Sequence, residues 1–195
     1  MNRQENALYR MAGASNHTSD DRAEHDFYAT PAYAIDALIK DGGAHLAHYI
    51  WEPACGDGSL SKRLEEYGHE VVSTDLVNHG FGQGGIDFLK CVNDWKGDII
   101  TNPPYSLAQD FVEHALSLIS DGNKVFMFMR LNFLESKRRQ TLFNKRCLRC
   151  VYVFRSRISC LKNGDINQRQ SGVIAYAWYE FEKGIDCDPI IKWIN

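Results

Sequence analysis

The sequence predicts an α/β fold: a doubly wound sheet with an antiparallel strand or hairpin at one edge. Short apolar runs alternate with stretches of helical spacing through most of the chain, as expected of strands joined by helices. Two long β-rich runs, 148–158 and 173–181, then follow each other with no helical spacing between them. Because strands joined without a crossover helix pair antiparallel, these two runs predict the antiparallel part of the sheet.

Each element has its own signal in the sequence. Helical spacing begins after Thr30 and Pro31, and proline suits the first position of a helix because no N–H is needed there. The helix predicted over 107–120 aligns Leu107, Phe111, Ala115 and Ile119 in one apolar stripe. The other predicted helices cover 59–67 and 135–144, and the earlier predicted strands cover 48–51, 70–74, a short run near Ile86, 98–101 and 124–131.

The composition is that of an ordinary globular protein, with 44% apolar and 24% charged residues. Residues 1–25 lack periodicity and are expected to form a flexible arm, followed by a single domain over 26–195. No run approaches the roughly 20 apolar residues that span a bilayer, and the amino terminus has no apolar signal segment. We therefore expect a cytoplasmic protein that is independent of membranes and is a monomer or a homodimer.

The six cysteines are expected to be reduced thiols, since nothing indicates export. Cys147 and Cys150 form a Cys-x-x-Cys pair, which could be one half of a zinc site. No second cysteine pair or histidine pair completes a set of four ligands, so no bound metal is expected.

The net charge of −3 conceals a strongly basic segment. Residues 130–169 hold eleven Lys and Arg against Glu135 and Asp165, a net charge of +9, whereas the rest of the chain carries −12. A basic region on an otherwise acidic chain indicates a surface for a polyanion, although charge runs in general are more often solvated faces.

A glycine-containing loop, Glu52-Pro53-Ala54-Cys55-Gly56-Asp57-Gly58, joins a predicted strand to a predicted helix. Glycines at such a junction allow a tight turn and close approach to a ligand, and open α/β sheets bind ligands at the carboxyl ends of their strands. The dinucleotide fingerprint Gly-x-Gly-x-x-Gly is absent, and an acidic residue opens the motif. That acid would repel a pyrophosphate but suits a positively charged group; the alternative is an ordinary turn.

Two further acidic positions follow predicted strands. Asp75 comes at the right interval to accept hydrogen bonds from a ribose diol, although an Asp at a strand end is also a common helix cap. Asp87 could hydrogen-bond an adenine amino group while Phe88 covers the ring; the alternative is a capping Asp and a core Phe.

The most specific chemistry belongs to Asn102-Pro103-Pro104-Tyr105, directly after a predicted strand. Consecutive prolines stiffen the loop, because each fixes φ and removes an N–H. An aryl amino nitrogen is a poor nucleophile, since its lone pair is delocalised into the ring. The amide oxygen of Asn102 and the carbonyl of Pro103 could accept both of its N–H groups and localise that lone pair. Attack on a sulfonium methyl then needs positioning and electrostatics rather than a strong base, and Tyr105 offers a flat surface for an extruded base.

Together these motifs resemble those of the class I S-adenosylmethionine-dependent amino-methyltransferases. Within that class the chain is similar to small phage- and prophage-type N6-adenine DNA methyltransferases, which lack a separate target-recognition domain. The resemblance runs from about residue 26 to the end. It implies a seven-stranded, Rossmann-like mixed sheet with the last strand inserted antiparallel, S-adenosylmethionine as the cofactor and DNA adenine N6 as the acceptor. Asn rather than Ser at position 102 favours adenine over cytosine N4 in that family.

The resemblance also implies roles for individual residues. The catalytic residues would be Asn102, Pro103, Pro104 and Tyr105. Cofactor contacts would come from Tyr28, Thr30 and Pro31 at the methionine part, from the cofactor loop with Glu52, Pro53, Ala54, Gly56 and Gly58, from Asp75 at the ribose, from Asp87 and Phe88 at the adenine, and from Asn102. By their charge, the residues expected to contact nucleic acid are Lys137, Arg138 and Arg139 on the predicted basic helix and Arg157, Lys162 and Arg169 around the last loop.

One feature departs from the family pattern. Such enzymes often place an aromatic residue in the loop between the last two strands, against the flipped base, whereas residues 159–172 contain Cys160 and Leu161 and no Phe, Tyr or Trp. Either Leu161 substitutes as an apolar contact, or the base is held differently, or the substrate is not a duplex base. Three alternative functions stay open: an RNA-base methyltransferase, a methyltransferase of glutamine amides in proteins, and a catalytically weak S-adenosylmethionine-binding interaction module.

Overall fold

The computed structural model of the chain describes residues 28–158, 161–162 and 174–195. Its central element is a seven-stranded mixed sheet with helices on both faces, which confirms the predicted α/β class. The strands are β1 (Tyr28–Ala29), β2 (Tyr49–Glu52), β3 (Glu70–Ser73), β4 (Asp98–Thr101), β5 (Lys124–Arg130), β6 (Leu148–Phe154), β7 (Leu161–Lys162), β8 (Tyr176–Glu182) and β9 (Ile190–Ile194). The α-helices are α1 (Ala32–Asp36), which continues as a π-helix (Ala37–Asp41), α2 (Ser59–Glu66), α3 (Ala108–Leu118) and α4 (Gln140–Phe143).

The strand order in the large sheet is β3-β2-β4-β5-β8-β6-β9. The first four of these strands run parallel, so their carboxyl ends lie along one edge of the sheet, called the carboxyl edge below. Strand β8 lies antiparallel between β5 and β6, as the resemblance implies. It pairs with β5 over seven residue pairs, from Lys124 with Glu182 to Arg130 with Tyr176.

The sheet separates two hydrophobic cores. On one face α1 and α2 cover the central strands, with Ile35, Leu38 and Leu64 fully buried. On the other face α3 packs against the same strands through Phe111 and Val112. Cys147 packs in the second of these cores and Cys150 in the first, so the thiols of the Cys-x-x-Cys pair lie in different cores.

The sheet differs in two places from the one predicted from the sequence. No strand forms near Ile86: the glycine-rich segment folds as an irregular loop, and only Gln83 pairs with Thr74 in an isolated bridge. Glycine weakens a strand because it is flexible and offers no side chain to pack. At the other end, β9 was not predicted, since its run is short and half exposed; it pairs parallel with β6 and forms the outer edge. The antiparallel pair of β6 and β8 therefore lies one strand inside that edge.

Two helices also differ from those predicted from the sequence. The predicted basic helix over 135–144 is wrong: the chain forms a 3-10 turn at Lys137–Arg139 and a single α-helical turn in α4. Ser136, with φ of 125°, interrupts the helical path just before that turn. Leu107 is exposed in a 3-10 turn, so α3 begins at Ala108 and its buried stripe lacks Leu107.

The predicted arm, residues 1–25, lies outside the described residues. Within the described part of the chain, no helix is long and apolar enough to cross a membrane.

Candidate functional site at the carboxyl edge

Three loops with polar side chains meet at the carboxyl edge. The cofactor loop predicted from the sequence, 52–58, follows β2, the segment from Thr74 to Gly85 follows β3, and Asn102 to Tyr105 follow β4. Because β2 lies between β3 and β4, the cofactor loop is the middle one of the three.

The two glycines of the cofactor loop are required by its shape. Gly56 and Gly58 have φ of 52° and 78°, the left-handed region that other residues avoid. A Cβ at Gly58 would lie 2.3 Å from the ring of Phe81, which packs over the loop. The loop then leads directly into α2, whose first turn closes with the Lys62 N–H donating to the Gly58 carbonyl at 2.9 Å.

Asp75 ties the cofactor loop to the end of β3. One of its carboxylate oxygens accepts the Gly56 N–H at 2.9 Å, and the other accepts the Val77 N–H at 2.8 Å. The Cys55 N–H also donates to the Thr74 carbonyl, at 3.0 Å. The acid that the resemblance assigns to ribose binding thus lies directly against the glycine turn and holds it in place.

Glu52 supports the loop from below. Its side chain is buried and accepts a hydrogen bond from the Ser61 hydroxyl, which also lies 2.6 Å from the hydroxyl of Ser73. Burial raises the pKa of the Glu52 carboxyl well above its ordinary value, and the nearby charges of Asp57 and Asp75 raise it further. The side chain therefore faces α2 rather than the outer surface of the loop.

The side chains of Asp57 and Asp75 give the loop negative charge, whereas burial favours the neutral form of Glu52. Burial and, to a lesser extent, the neighbouring carboxyl groups raise the pKa of the Cys55 thiol to about 12. A pyrophosphate would be repelled there, whereas a ligand with a positive charge is stabilised. These residues therefore fit the sulfonium and ammonium groups of S-adenosylmethionine, and the tight glycine turn allows its close approach.

The catalytic loop predicted from the sequence begins where β4 ends. All four residues of β4 are buried, and the Thr101 hydroxyl has no hydrogen-bond partner among the described residues. Asn102 is half-buried, Pro103 is buried and Pro104 is exposed. Adjacent strands lie about 4.8 Å apart, so Asn102 starts one strand away from the cofactor loop.

Tyr105 is held by aromatic packing. Its ring centroid lies 6.0 Å from that of Tyr176, which in turn stacks on Phe128 at 5.2 Å with an interplanar angle of 11°. The guanidinium carbon of Arg130 lies over the Tyr105 ring, 4.9 Å from its centroid. The ring that we expected to support a base is thus fixed by neighbours from β5 and β8.

Phe88 was expected to cover an adenine ring, but the structure buries it. It is 2% exposed and packs in the core against Trp51, Phe111 and His114, so its ring cannot cover a ligand at the surface. Asp87 caps the 3-10 turn Phe88–Lys90 by accepting the Leu89 N–H at 3.2 Å. The hydrogen bond from Lys90 lowers the pKa of the Asp87 carboxyl. The alternative interpretation, a capping Asp and a core Phe, describes this pair.

The segment before α1 lies beside the last loop. Strand β1 pairs antiparallel with β7, Tyr28 opposite Lys162 and Ala29 opposite Leu161. Thr30 is buried, and Pro31 caps α1 without a side-chain hydrogen bond. The side chains of Tyr28, Leu161 and Lys162, the residue Arg169 and most of the aromatic-poor loop 159–172 lie outside what the structure describes.

The basic residues proposed to contact nucleic acid are not equivalent. Lys137, Arg138 and Arg157 are exposed. Arg139 is half-buried: it donates to the carbonyls of Phe133 and Glu135 at 3.1 and 2.6 Å, and its guanidinium lies over the Phe133 ring. Arg139 therefore stabilises the turn before it, and its capacity to bind a phosphate is reduced.

Three residues at this edge were not singled out from the sequence. Phe81 packs on the cofactor loop, Leu76 lies 63% exposed beside Asp75, and Arg130 contacts Tyr105. Arg130 could have been found, because it ends a strand as Glu52 does. Phe81 could not, because its contact with Gly58 depends on the path of an irregular loop.

The sequence matches no family model and no curated protein. Among solved structures, the fold is similar to that of a proposed RNA methyltransferase from Pyrococcus horikoshii, with a TM-score of 0.58 and 15% identity over 95% of this chain and 100% of that one. A proposed class I S-adenosylmethionine-dependent methyltransferase from Listeria monocytogenes has a TM-score of 0.53 and 12% identity over 97% of this chain and 72% of that one. The M protein of the type I restriction enzyme EcoKI has a TM-score of 0.54 and 14% identity; the match covers 84% of this chain but 45% of that protein. The chain therefore has the fold of the class I S-adenosylmethionine-dependent methyltransferases.

Proposed function

We propose that this protein transfers a methyl group from S-adenosylmethionine to an exocyclic amino nitrogen, N6 of adenine in DNA. The observation that supports this most strongly is the position of Asn102-Pro103-Pro104-Tyr105 at the carboxyl end of β4, next to the glycine turn that follows β2. This adjacency supports the proposal, because Asn102 and Pro103 follow the strand next to the one that leads into the cofactor loop.

The residues that would hold the cofactor lie on three elements. Gly56 and Gly58 shape the turn, and Asp75 lies against it. The third element is the segment through Thr30 and Pro31, which leads into α1. When bound, S-adenosylmethionine supplies an electrophilic methyl group on a positively charged sulfur. Glu52 contributes from beneath, by fixing the start of the loop through Ser61.

The catalytic loop would act by orienting the acceptor amine. The amide oxygen of Asn102 and the carbonyl of Pro103 would accept its two N–H groups and localise the nitrogen lone pair. The two prolines keep this pair of acceptors in place before the acceptor binds, so little free energy is spent on ordering them. Tyr105, which contacts Tyr176 and Arg130, provides the ring on which the base would stack.

DNA is the proposed acceptor because of the basic segment and the chemistry of the catalytic loop. The exposed Lys137, Arg138 and Arg157 offer contacts for backbone phosphates, as Lys162 and Arg169 would by their charge. The similarity in fold to the M protein of a type I restriction enzyme is consistent with a DNA substrate.

RNA is the second candidate. The similar fold of the proposed RNA methyltransferase from Pyrococcus horikoshii covers its whole length, and a basic surface suits either nucleic acid. A glutamine amide in a protein would use the same acceptors at Asn102 and Pro103, but it would give no role to the exposed cations Lys137, Arg138 and Arg157.

The test is methyl transfer from labelled S-adenosylmethionine to unmethylated DNA, to RNA and to a protein extract in separate reactions. We expect label in N6-methyladenine of DNA, and a loss of at least about 100-fold with Asn102→Ala, as for other removed transition-state hydrogen bonds. Asn93→Ala, an exposed asparagine in the loop before β4, is the matched control and should keep full activity. Label in RNA alone or in protein alone would refute the DNA assignment, and equal activity of the Asn102→Ala variant would refute the role of the loop.

A further inference from the structure

Arg130 occupies a different place from the other cations of the basic segment. It is the last residue of β5, at the carboxyl edge, whereas Lys137 and Arg138 lie on the surface turn that follows. Its guanidinium carbon lies 4.9 Å from the centroid of the Tyr105 ring. Arg130 is therefore in direct contact with the proposed catalytic loop.

The hydrogen-bonding of Arg130 is incomplete. Its Nε is buried and has no hydrogen-bond partner, and its guanidinium forms no ion pair with a carboxylate, among the described residues. Arg63, Arg146 and Arg149, by contrast, all pair with Asp or Glu. A buried cationic donor without an acceptor costs free energy, and such a group calls for a ligand that completes its hydrogen bonds.

The strand order tells which side of the catalytic loop this ligand occupies. Strand β4 lies between β2 and β5, so Arg130 lies on the opposite side of Asn102 from the cofactor loop. Two strand spacings separate the ends of β2 and β5 by about 10 Å. The group that meets Arg130 is thus expected to belong to the acceptor molecule rather than to the cofactor.

We propose that Arg130 binds the phosphodiester next to the base that enters the catalytic loop. The planar guanidinium presents two parallel N–H groups to phosphate oxygens, a geometry that lysine cannot supply. Because the same guanidinium packs on Tyr105, phosphate binding also fixes the ring on which the base stacks. This inference rests on the proposed function and extends it to one residue and one phosphate.

The test uses a thymidine oligonucleotide with a single deoxyadenosine, in which each phosphate beside the adenosine is replaced in turn by a neutral methylphosphonate. We expect the wild-type protein to lose about 10- to 100-fold in affinity at one of the two positions, the range for a lost hydrogen bond to a charged group. Arg130→Gln should lose the same factor with the unmodified strand and show no further loss with that methylphosphonate.

Three controls separate this role from a structural one. Lys96→Gln removes one positive charge from an exposed residue just before β4, at the opposite edge of the sheet, and should keep the wild-type response. Arg130→Lys keeps the charge and should recover part of the affinity without the two-point contact. Cofactor binding without DNA, measured with labelled S-adenosylmethionine, should be unchanged in every variant.

The outcomes separate a failure of the role inferred for Arg130 from a failure of the proposed function. If Arg130→Gln remains sensitive to the methylphosphonate, or if it weakens cofactor binding instead of DNA binding, Arg130 does not bind this phosphate. If the wild-type protein methylates DNA but responds to neither methylphosphonate, the inference fails and the proposed function stands, a result that needs no variant to fold. If the wild-type protein neither binds nor methylates the strand, the DNA assignment itself fails.

Discussion

At the scale of single residues, Glu52 makes stability depend on pH. Burial raises the pKa of its carboxyl, so between the ordinary glutamate pKa and this raised value the folded protein binds more protons than the unfolded chain. The free energy of unfolding therefore falls as pH rises through that window. We expect Glu52→Gln, which keeps the shape and can still bond to Ser61, to reduce this fall. Some dependence should remain, because burial also raises the pKa of Asp98.

Urea unfolding over a series of pH values measures this effect. Glu65→Gln makes the same change at an exposed position of α2 and should leave the pH dependence of unfolding as it is in the wild type. If the free energy of unfolding of the Glu52→Gln variant falls with pH as steeply as that of the wild type, Glu52 is ionised in the folded protein.

The residues of the site could be located from the sequence more readily than their side chains could be oriented. Glu52, Asp75 and Asn102 each follow an apolar run, and this places them at the carboxyl edge of a parallel sheet. Whether a side chain faces solvent or the core depends on residues distant in sequence. Phe88 is buried because Trp51 and α3 enclose it, and no local pattern contains that information.

At the scale of elements, prediction succeeded where burial imposes a clear period. The central strand β5 is a long apolar run, and α3 has a regular buried stripe. It failed for the basic segment 135–144, where the residues facing solvent carry no packing signal, and for β9, whose run is short.

Strand β9 allows a matched test of its register. Ile194 is fully buried, whereas its neighbour Trp193 is 60% exposed, because successive residues of a strand point to opposite faces. Ile194→Ala should lower the free energy of unfolding by about 2–5 kcal/mol through the cavity it leaves. Trp193→Ala should cost less, although it removes a larger side chain. Chemical denaturation measures both, and the reverse order would contradict the pairing of β9 with β6.

At the scale of the whole molecule, the charges are segregated: +9 within residues 130–169 against −12 elsewhere. If this segregation serves nucleic-acid binding, changing Lys137 and Arg138 together to Glu should weaken DNA binding. It should also make the negative slope of log affinity against log salt concentration shallower by up to about 2, since each lost phosphate contact removes roughly 0.9. Arg139 is left unchanged, because it donates to the carbonyls of Phe133 and Glu135 and its loss would disturb the turn.

The control for this experiment makes the same change in net charge elsewhere. Lys40 and Lys96 are both exposed and lie outside the basic segment, so Lys40→Glu with Lys96→Glu tests the effect of total charge alone. Fluorescence anisotropy with a labelled duplex, repeated over a salt series, gives both the affinity and the slope. An equal loss in the two double variants would mean that long-range attraction to the whole chain governs binding. A loss confined to Lys137 and Arg138 would instead make the turn before α4 part of the surface on which DNA lies, next to the phosphate proposed for Arg130.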